Sequence, residues 1–87
     1  GTNYPNPFNT NTKINYVLPE SSFVTINIFD SFGRLIRILK QGNQAAGIHI
    51  VEWDGKNSNR QMMTAGLYFY ELKTVNYEET KPMLLYK

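Results

Sequence analysis

Apolar and polar residues alternate along several short stretches of the chain, which is the pattern of half-buried β-strands. Between residues 12 and 18 every second side chain is apolar (Ile14, Tyr16 and Leu18), and Lys13 and Asn15 lie between them. The same alternation returns over residues 24–28. Both segments are therefore predicted to be strands that bury one face.

The next apolar stretch, Arg34 to Lys40, keeps this period only in part. Ile36 and Ile38 share one face, whereas Leu35 and Leu39 share the other. A β-bulge or burial of both faces would account for such a pattern. The segment is predicted to be a third strand, followed by a loop over residues 41–47.

Later segments have the same character and are separated by turn-forming residues. Strands are predicted at Ile48–Trp53, at Tyr68–Leu72 and at Met83–Tyr86, the last after a polar turn around residues 76–80, and Gln61–Met63 is a further short candidate. No segment has a 3.6-residue period. About seven short strands with regular turns predict an all-β antiparallel sandwich.

The first eleven residues are rich in proline and asparagine. Tyr4-Pro5-Asn6-Pro7-Phe8 is predicted to form a rigid, extended lead-in because each proline fixes its own φ and restricts the residue before it. Tyr4 and Phe8 are expected to anchor this lead-in by packing. We therefore interpret the 87 residues as one domain, with a lead-in over residues 1–11 and a sandwich over residues 12–87.

Composition excludes several classes of function. The chain has no cysteine, which rules out disulfides and thiolate chemistry, and its net charge of +2 comes from scattered basic residues rather than a nucleic-acid-binding stripe. No apolar run approaches the roughly 18 residues of a membrane span, and no signal-peptide pattern is present. The chain opens directly on a loop motif, so we expect it to be a piece of a longer protein.

Six motifs occur in a fixed order along the chain. They are Tyr4-Pro5-Asn6-Pro7-Phe8-Asn9; Asp30 with Gly33 and Arg34; Ala46 and Gly47 with His49; Trp53-Asp54-Gly55; Gly66 with Tyr68, Tyr70 and Leu72; and a final strand that ends in Lys87. In this order and spacing they resemble the type A C-terminal sorting domain of the bacterial type IX (Por) secretion system. That family is related in shape to the immunoglobulin-like domain of the flagellar hook-cap protein.

The resemblance implies an immunoglobulin-like sandwich that directs an upstream cargo domain in the same chain to the cell surface, through the periplasm and the outer membrane. The implied partners are the outer-membrane translocon, a shuttle component and a sortase. The resemblance implies neither catalytic residues nor a cofactor. It places the sorting signal in the last strand, for which the candidates are Lys81, Met83, Leu84, Leu85, Tyr86 and Lys87. We expect Met83 and Leu85 to pack inward and the backbone edge of this strand to remain available for β-augmentation by a partner.

The sequence departs from the family pattern at a few positions. A common proline is replaced by Thr10, and a common serine by Ala65. Arg60 stands where a glycine is usual, so the loop after Asn59 is expected to avoid positive φ. Pro82 replaces a basic residue in the last strand and cannot donate a hydrogen bond to a ladder.

Three further features have local structural interpretations. His49 is the only histidine and is predicted to lie at the edge of the core, with a backbone partner. Residues 54–59 resemble a calcium loop but lack its closing glutamate, so a hairpin turn is the better interpretation. Asp30 and Arg34 are expected to shape the turn between them.

Catalysis is not expected, because no nucleophile and base pair is suggested and a thin sandwich offers little room for a cleft. Two alternatives to sorting stay open. A row of aromatic residues (Phe29, Phe69 or Tyr77) on an exposed face would suit a carbohydrate-binding module that accompanies a glycoside hydrolase. A passive immunoglobulin-like spacer is the other.

Overall fold

The computed structural model describes residues Thr2 to Tyr86, which form seven strands and no helix. The bounds are β1 Thr2–Tyr4, β2 Thr12–Leu18, β3 Ser22–Asp30, β4 Leu35–Gln44, β5 Gly47–Trp53, β6 Gly66–Lys73 and β7 Glu78–Leu85. No helix able to span a membrane occurs between these residues. The predicted all-β class is confirmed.

The strands form two antiparallel sheets, one of three strands in the order β1-β2-β5 and one of four in the order β4-β3-β6-β7. In the larger sheet β3 and β6 are central, whereas β4 and β7 are edge strands. The register is fixed by alternation, because a slip of one residue would turn every core side chain outward. The last strand thus lies at an edge of the larger sheet.

The core lies between the inner faces of the two sheets. Trp53 is completely buried, and the rings of Phe8 and Tyr68 meet its indole edge-to-face at centroid distances of 5.5 and 5.4 Å. Such large aromatic rings compensate for the small size of the domain. The other buried apolar residues are Ile14, Tyr16, Leu18, Val24, Ile26, Ile28, Tyr70, Leu72, Met83 and Leu85.

The faltering alternation of the third predicted strand does correspond to a bulge. The β3–β4 register shifts between Ile26 and Asn27 and again between Ile28 and Phe29. The predicted loop over residues 41–47 is wrong, because β4 continues to Gln44 and its polar end pairs with the start of β3. A strand at a sheet edge tolerates polar side chains, so its hydrophobic pattern is weak.

Two further boundaries differ from the prediction. β7 begins at Glu78, so the turn after β6 is shorter than predicted and lies around residues 74–77. Gln61–Met63 is not a strand, since it contributes only an isolated bridge between Lys56 and Met62.

The lead-in is more structured than a simple extended segment. Thr2 to Tyr4 form β1 and pair with Lys13 to Asn15, and the Tyr4–Pro5 and Asn6–Pro7 peptide bonds are both cis. Phe8 is an anchor as predicted, with 1% of its surface exposed. Tyr4 is not, because it is 77% exposed on the outside of the smaller sheet.

Two turns differ in how they reach positive φ. Gly33 has φ +82°, which confirms the predicted tight turn between β3 and β4. Arg60, by contrast, has φ 65°, so the expectation that its loop avoids positive φ is wrong. A residue with a Cβ pays a conformational cost in this region, and nothing in the sequence signals that the backbone requires it here.

Candidate recognition surface at the last strand

The side chains of β7 divide cleanly between the core and the surface. Met83 and Leu85 point inward and are 1% and 2% exposed. Leu84 and Tyr86 lie on the opposite side and are 44% and 47% exposed. The inward prediction for Met83 and Leu85 is confirmed, and Lys87 lies outside the described residues.

The backbone edge of β7 is not free. The lead-in runs along it and forms what we call the edge clamp, the hydrogen bonds that Asn6 and Phe8 make to residues 82–86. Asn6 Nδ2 donates to Pro82 O at 3.3 Å, and Leu84 N donates to Asn6 Oδ1 at 3.0 Å. Phe8 N then donates to Leu84 O, and Tyr86 N to Phe8 O, both at 2.9 Å.

Other contacts hold the edge clamp in place. Thr12, which is completely buried, donates from Oγ1 to Pro5 O at 2.7 Å and accepts from Asn3 Nδ2 at 3.2 Å. The Phe8 ring fills the core beside Trp53. The expectation that residues 82–86 present an edge for β-augmentation is therefore wrong, because a segment 76 residues earlier in the chain occupies that edge.

Pro82 fits this strand without loss. It lies opposite Phe69 in β6. Because backbone groups alternate along a strand and the N–H groups of Leu84 and Tyr86 point away from β6, the nitrogen of Pro82 also points away from β6. A proline in this orientation removes no ladder hydrogen bond, as is usual on edge strands.

Lys81 points inward and takes part in a polar network at one end of the sandwich. Its Nζ lies 3.2 Å from Oε1 of Glu79, whose side chain is only 8% exposed. The Tyr77 hydroxyl donates to Glu79 Oε2 at 2.6 Å, and Tyr70 donates to Oε1 at 3.5 Å. Burial, together with the Glu79 carboxylate, raises the pKa of the Tyr70 hydroxyl. Lys81 is thus ion-paired with Glu79, a residue that was predicted to lie in a turn.

The outer face of the larger sheet is apolar around the clamped edge. Leu84 lies opposite Leu67, which is 42% exposed. One row across the four strands consists of Leu35, Phe29, Phe69 and Pro82 in register. Leu84 and Tyr86 therefore belong to a surface that extends beyond β7.

The three aromatic residues considered for sugar stacking do not form one row. Phe29 and Phe69 are register partners and half-buried. Tyr77 lies in the turn after β6, and its hydroxyl is engaged by Glu79. The exposed aromatic platform that a carbohydrate-binding module would use is absent from this set.

Asp30 organises the β3–β4 turn. Its Oδ1 accepts hydrogen bonds from the backbone N–H groups of Arg34 and Phe32, both at 3.0 Å, and its Oδ2 lies 2.7 Å from Arg34 Nε. The backbone N–H of Arg34, helped by its guanidinium and by the Phe32 N–H, lowers the pKa of the Asp30 carboxyl from 3.8. As expected, the pair shapes the turn.

The loop after β5 is a turn held by side-chain hydrogen bonds. Asp54 Oδ1 accepts from Lys56 N at 3.1 Å and from Arg37 Nη1 at 2.9 Å. Trp53 Nε1 donates to Lys56 O at 3.0 Å. No group of three or more acidic, histidine or cysteine side chains suited to a metal occurs among residues 2–86.

Other motif residues make contacts within the fold. The His49 ring stacks on Tyr16 at a centroid distance of 5.3 Å, and its Nε2 lies 2.7 Å from Ala45 O. Its prediction as a core-edge residue with a backbone partner is confirmed. The Tyr68 hydroxyl donates to Thr64 O at 2.6 Å. The three glycines of these motifs all have positive φ, namely Gly47, Gly55 and Gly66.

Comparison with known protein families gives a match over most of the chain. The model of the FlgD Ig-like domain matches residues 7–78. The basal-body rod modification protein FlgD of Salmonella typhimurium is 40% identical over 45 residues, which cover 52% of this chain and 19% of that protein. The FlgD protein of Buchnera aphidicola is 35% identical over 52 residues, which cover 60% of this chain and 23% of that protein. The chain thus spans about a fifth of the length of these relatives.

Solved structures support the same shape. The crystal structure of FlgD from P. aeruginosa is 33% identical, with a TM-score of 0.67 over 85% of this chain and 58% of that one. Dimeric latent PorU from Porphyromonas gingivalis superposes with a TM-score of 0.78 over 97% of this chain and 9% of its own, at 18% identity. PorZ, a surface component of the type IX secretion system of the same organism, superposes with a TM-score of 0.67 over 99% of this chain and 11% of its own, at 16% identity. The immunoglobulin-like fold is confirmed.

Proposed function

The chain belongs to the FlgD Ig-like domain family, and from this premise we propose that it is a non-catalytic sorting domain that takes an upstream secreted protein to the cell surface through the type IX secretion system. The matching family is described as an Ig-like domain, which supports a role in binding. Both elements of the proposal, the cargo and the export route, come from the resemblance of the six motifs to type A sorting domains.

The proposal rests on how the last strand is packed and hydrogen-bonded. Met83 and Leu85 lock β7 into the core, while the edge clamp fixes its backbone. Leu84 and Tyr86 remain exposed on a strand that is held rigidly from both sides. A signal read by another protein benefits from such rigidity, because little conformational entropy is lost on binding.

The names of two similar structures support the route. PorZ is described as an essential bacterial surface component of the type IX secretion system, and PorU comes from the same organism. Both superpose on nearly the whole of this chain but on only about a tenth of their own. We infer that this chain, too, serves as one small domain of a larger protein.

In this proposal the domain acts by binding alone. The translocon or its shuttle component contacts Leu84 and Tyr86, and a sortase then processes the protein near the lead-in. No residue of the domain takes part in bond breaking, and no cofactor is required. The cargo is passed to the surface because it is covalently joined to the domain that is recognised.

A reporter fusion tests the proposal. The domain is joined to the C-terminus of a fluorescent protein that carries a signal peptide, and the fusion is produced in a bacterium with the type IX machinery and in an isogenic strain without the translocon. We expect surface fluorescence only in the first strain. Retention in the periplasm of both strains, with the domain folded by circular dichroism, would contradict sorting, and binding to insoluble polysaccharide would then favour the carbohydrate-binding alternative over the passive spacer.

The flagellar relatives favour a second candidate function. Identity to FlgD reaches 40% over 45 residues, well above the 16–18% identity to PorZ and PorU. On this hypothesis the chain is an Ig-like module of a basal-body rod modification protein. Replacing the corresponding FlgD domain with this chain tests it, and restored motility together with failure of the export assay would support the flagellar role.

A further inference from the structure

β2 has a stretch of edge that no strand covers within the described residues. On one side β5 pairs with all of β2, from Thr12 to Leu18. On the other side β1 pairs only with Lys13 to Asn15. No described residue therefore covers the edge of Tyr16 to Leu18 on the β1 side. An edge of this kind is a template for a further strand.

A groove of about 920 Å³ runs beside this uncovered edge. Its far wall is the turn after β6, which is held by hydrogen bonds from Thr74 N to Tyr77 O at 2.8 Å and from Val75 N to Ser22 Oγ at 3.4 Å. The side chains that line it combine buried and exposed apolar groups with polar ones at the rim, among them Val17, Leu18, Leu72, Val75, Tyr77 and Thr2.

The groove leaves apolar surface open that a strand would cover. Leu18 and Leu72 are 4% and 2% exposed, whereas Val17 is 68% and Val75 78% exposed. A polypeptide laid along β2 in extended form would satisfy backbone groups of the edge and bury these two valines. Both effects favour binding, since main-chain hydrogen bonds and side-chain pockets are how strand addition works.

We propose that this groove binds an extended polypeptide segment, and that its occupant is the stretch that precedes Thr2 in a longer protein. The groove continues directly from β1. Thr2 lies opposite Asn15 and itself lines the groove. A strand that continued β1 in this antiparallel direction would run along Tyr16, Val17 and Leu18, and three residues of strand span about 10 Å.

This inference rests on the proposed function only in that sorting supplies a cargo segment before Thr2. Its consequence is that the junction between cargo and domain is part of the fold rather than a loose linker. Such an extended β1 would leave the domain beside Leu18 and the turn after β6, at the opposite end of β1 from the edge clamp.

Hydrogen exchange tests the docking directly. Two forms of the chain are made, one preceded by six residues that alternate threonine and valine, the other by three glycine-serine repeats. We expect at least one amide among Tyr16, Val17 and Leu18 to exchange about tenfold more slowly in the threonine-valine form, since strand formers favour pairing and glycine opposes it. Sedimentation should show that this form is a monomer.

Matched substitutions place the effect in the groove. Val75→Asp should reduce the gain in protection, whereas Ile50→Asp should leave it unchanged, because Ile50 is similarly exposed but does not line the groove. Equal protection in both extended forms would overturn the inference. Protection that depends on protein concentration would also overturn it, because the strand would then come from a second copy.

The docking and the sorting proposals fail separately. Exchange is measured on the purified domain and needs no secretion machinery, whereas the reporter fusion needs no docked segment. A domain that is exported but shows equal protection contradicts the docking alone. A docked domain that stays in the periplasm contradicts sorting alone.

Discussion

The edge clamp depends most directly on one side chain, Asn6. Its amide donates to Pro82 O at 3.3 Å and accepts from Leu84 N at 3.0 Å. Asn6→Ala removes both bonds, together with a longer one from Asn6 Nδ2 to Asn3 Oδ1 at 3.4 Å. A net hydrogen bond contributes about 0.5–1.5 kcal/mol, and because Asn6 is exposed we expect a total loss of about 1–2 kcal/mol. The domain should remain folded, since 87 residues typically have a stability of about 4–13 kcal/mol.

Thermal unfolding by circular dichroism measures this loss. For a domain of this size 1 kcal/mol corresponds to about 4–8 °C, so we expect the midpoint to fall by about 4–16 °C. Amide exchange at Leu84 should accelerate about tenfold, because its N–H loses its acceptor.

Asn9→Ala is the control for this change. Asn9 is exposed in the same segment, and its side chain makes no hydrogen bond within residues 2–86. Its substitution should leave both the midpoint and the exchange at Leu84 unchanged. Equal effects of Asn6→Ala and Asn9→Ala on these two quantities would refute the clamp.

Three further predictions concern local features of the fold. Arg60→Gly should stabilise the domain by about 0.5–1 kcal/mol, because relief of a left-handed conformation (about 1–2 kcal/mol) exceeds the added freedom of glycine in the unfolded chain (about 0.5–1 kcal/mol). The control, Asn59→Gly, should destabilise the domain. A lower melting midpoint for Arg60→Gly would contradict this prediction. The lowered pKa of the Asp30 carboxyl contributes stability that is present above pH 3.8 and is lost as the pH falls through the folded-state pKa. When the denaturant midpoint is plotted against pH, Asp30→Asn should therefore make its fall at acid pH less steep. An unchanged slope would argue against this role of Asp30. Pro82→Lys should change the midpoint of urea unfolding by less than the equivalent of about 1 kcal/mol, because the Pro82 nitrogen faces away from β6, and a larger loss would show that the proline is needed in the strand.

The sequence predicts those parts of the fold that repeat with a period of two. In β2 the strict alternation of Ile14, Tyr16 and Leu18 gives both the strand and its buried face, because one side of the sheet packs on the core. In β4 the period-two pattern fails. Its polar end, up to Gln44, looks like a loop because an edge strand needs little apolar surface.

The recognition surface is only partly visible in the sequence. Alternation places Met83 and Leu85 inward, and the structure agrees. No local pattern, however, indicates that Asn6 and Phe8 hydrogen bond to the last strand, because this contact joins residues more than 75 positions apart. A carboxylate such as Glu79 is likewise read as a surface residue until its partners Tyr77 and Lys81 are placed around it.

Deleting the last strand would not separate sorting from folding. Residues 83–87 include Met83 and Leu85, which are nearly completely buried, and their loss would also remove the acceptor of Phe8 N at Leu84. Removal of buried side chains of this size costs about 2–5 kcal/mol each, which is comparable to the stability of the whole domain. Surface substitutions are therefore the better probe.

The most direct test of the account is surface display of the reporter fusion with Leu84→Ser and Tyr86→Ser combined. The control is Ile50→Ser, at an exposed residue of the smaller sheet that does not line the groove, and circular dichroism confirms that both variants fold. We expect the Leu84 and Tyr86 variant to stay in the periplasm while the control reaches the surface. Equal display of the two folded variants would contradict the claim that the exposed side chains of the last strand are the sorting signal.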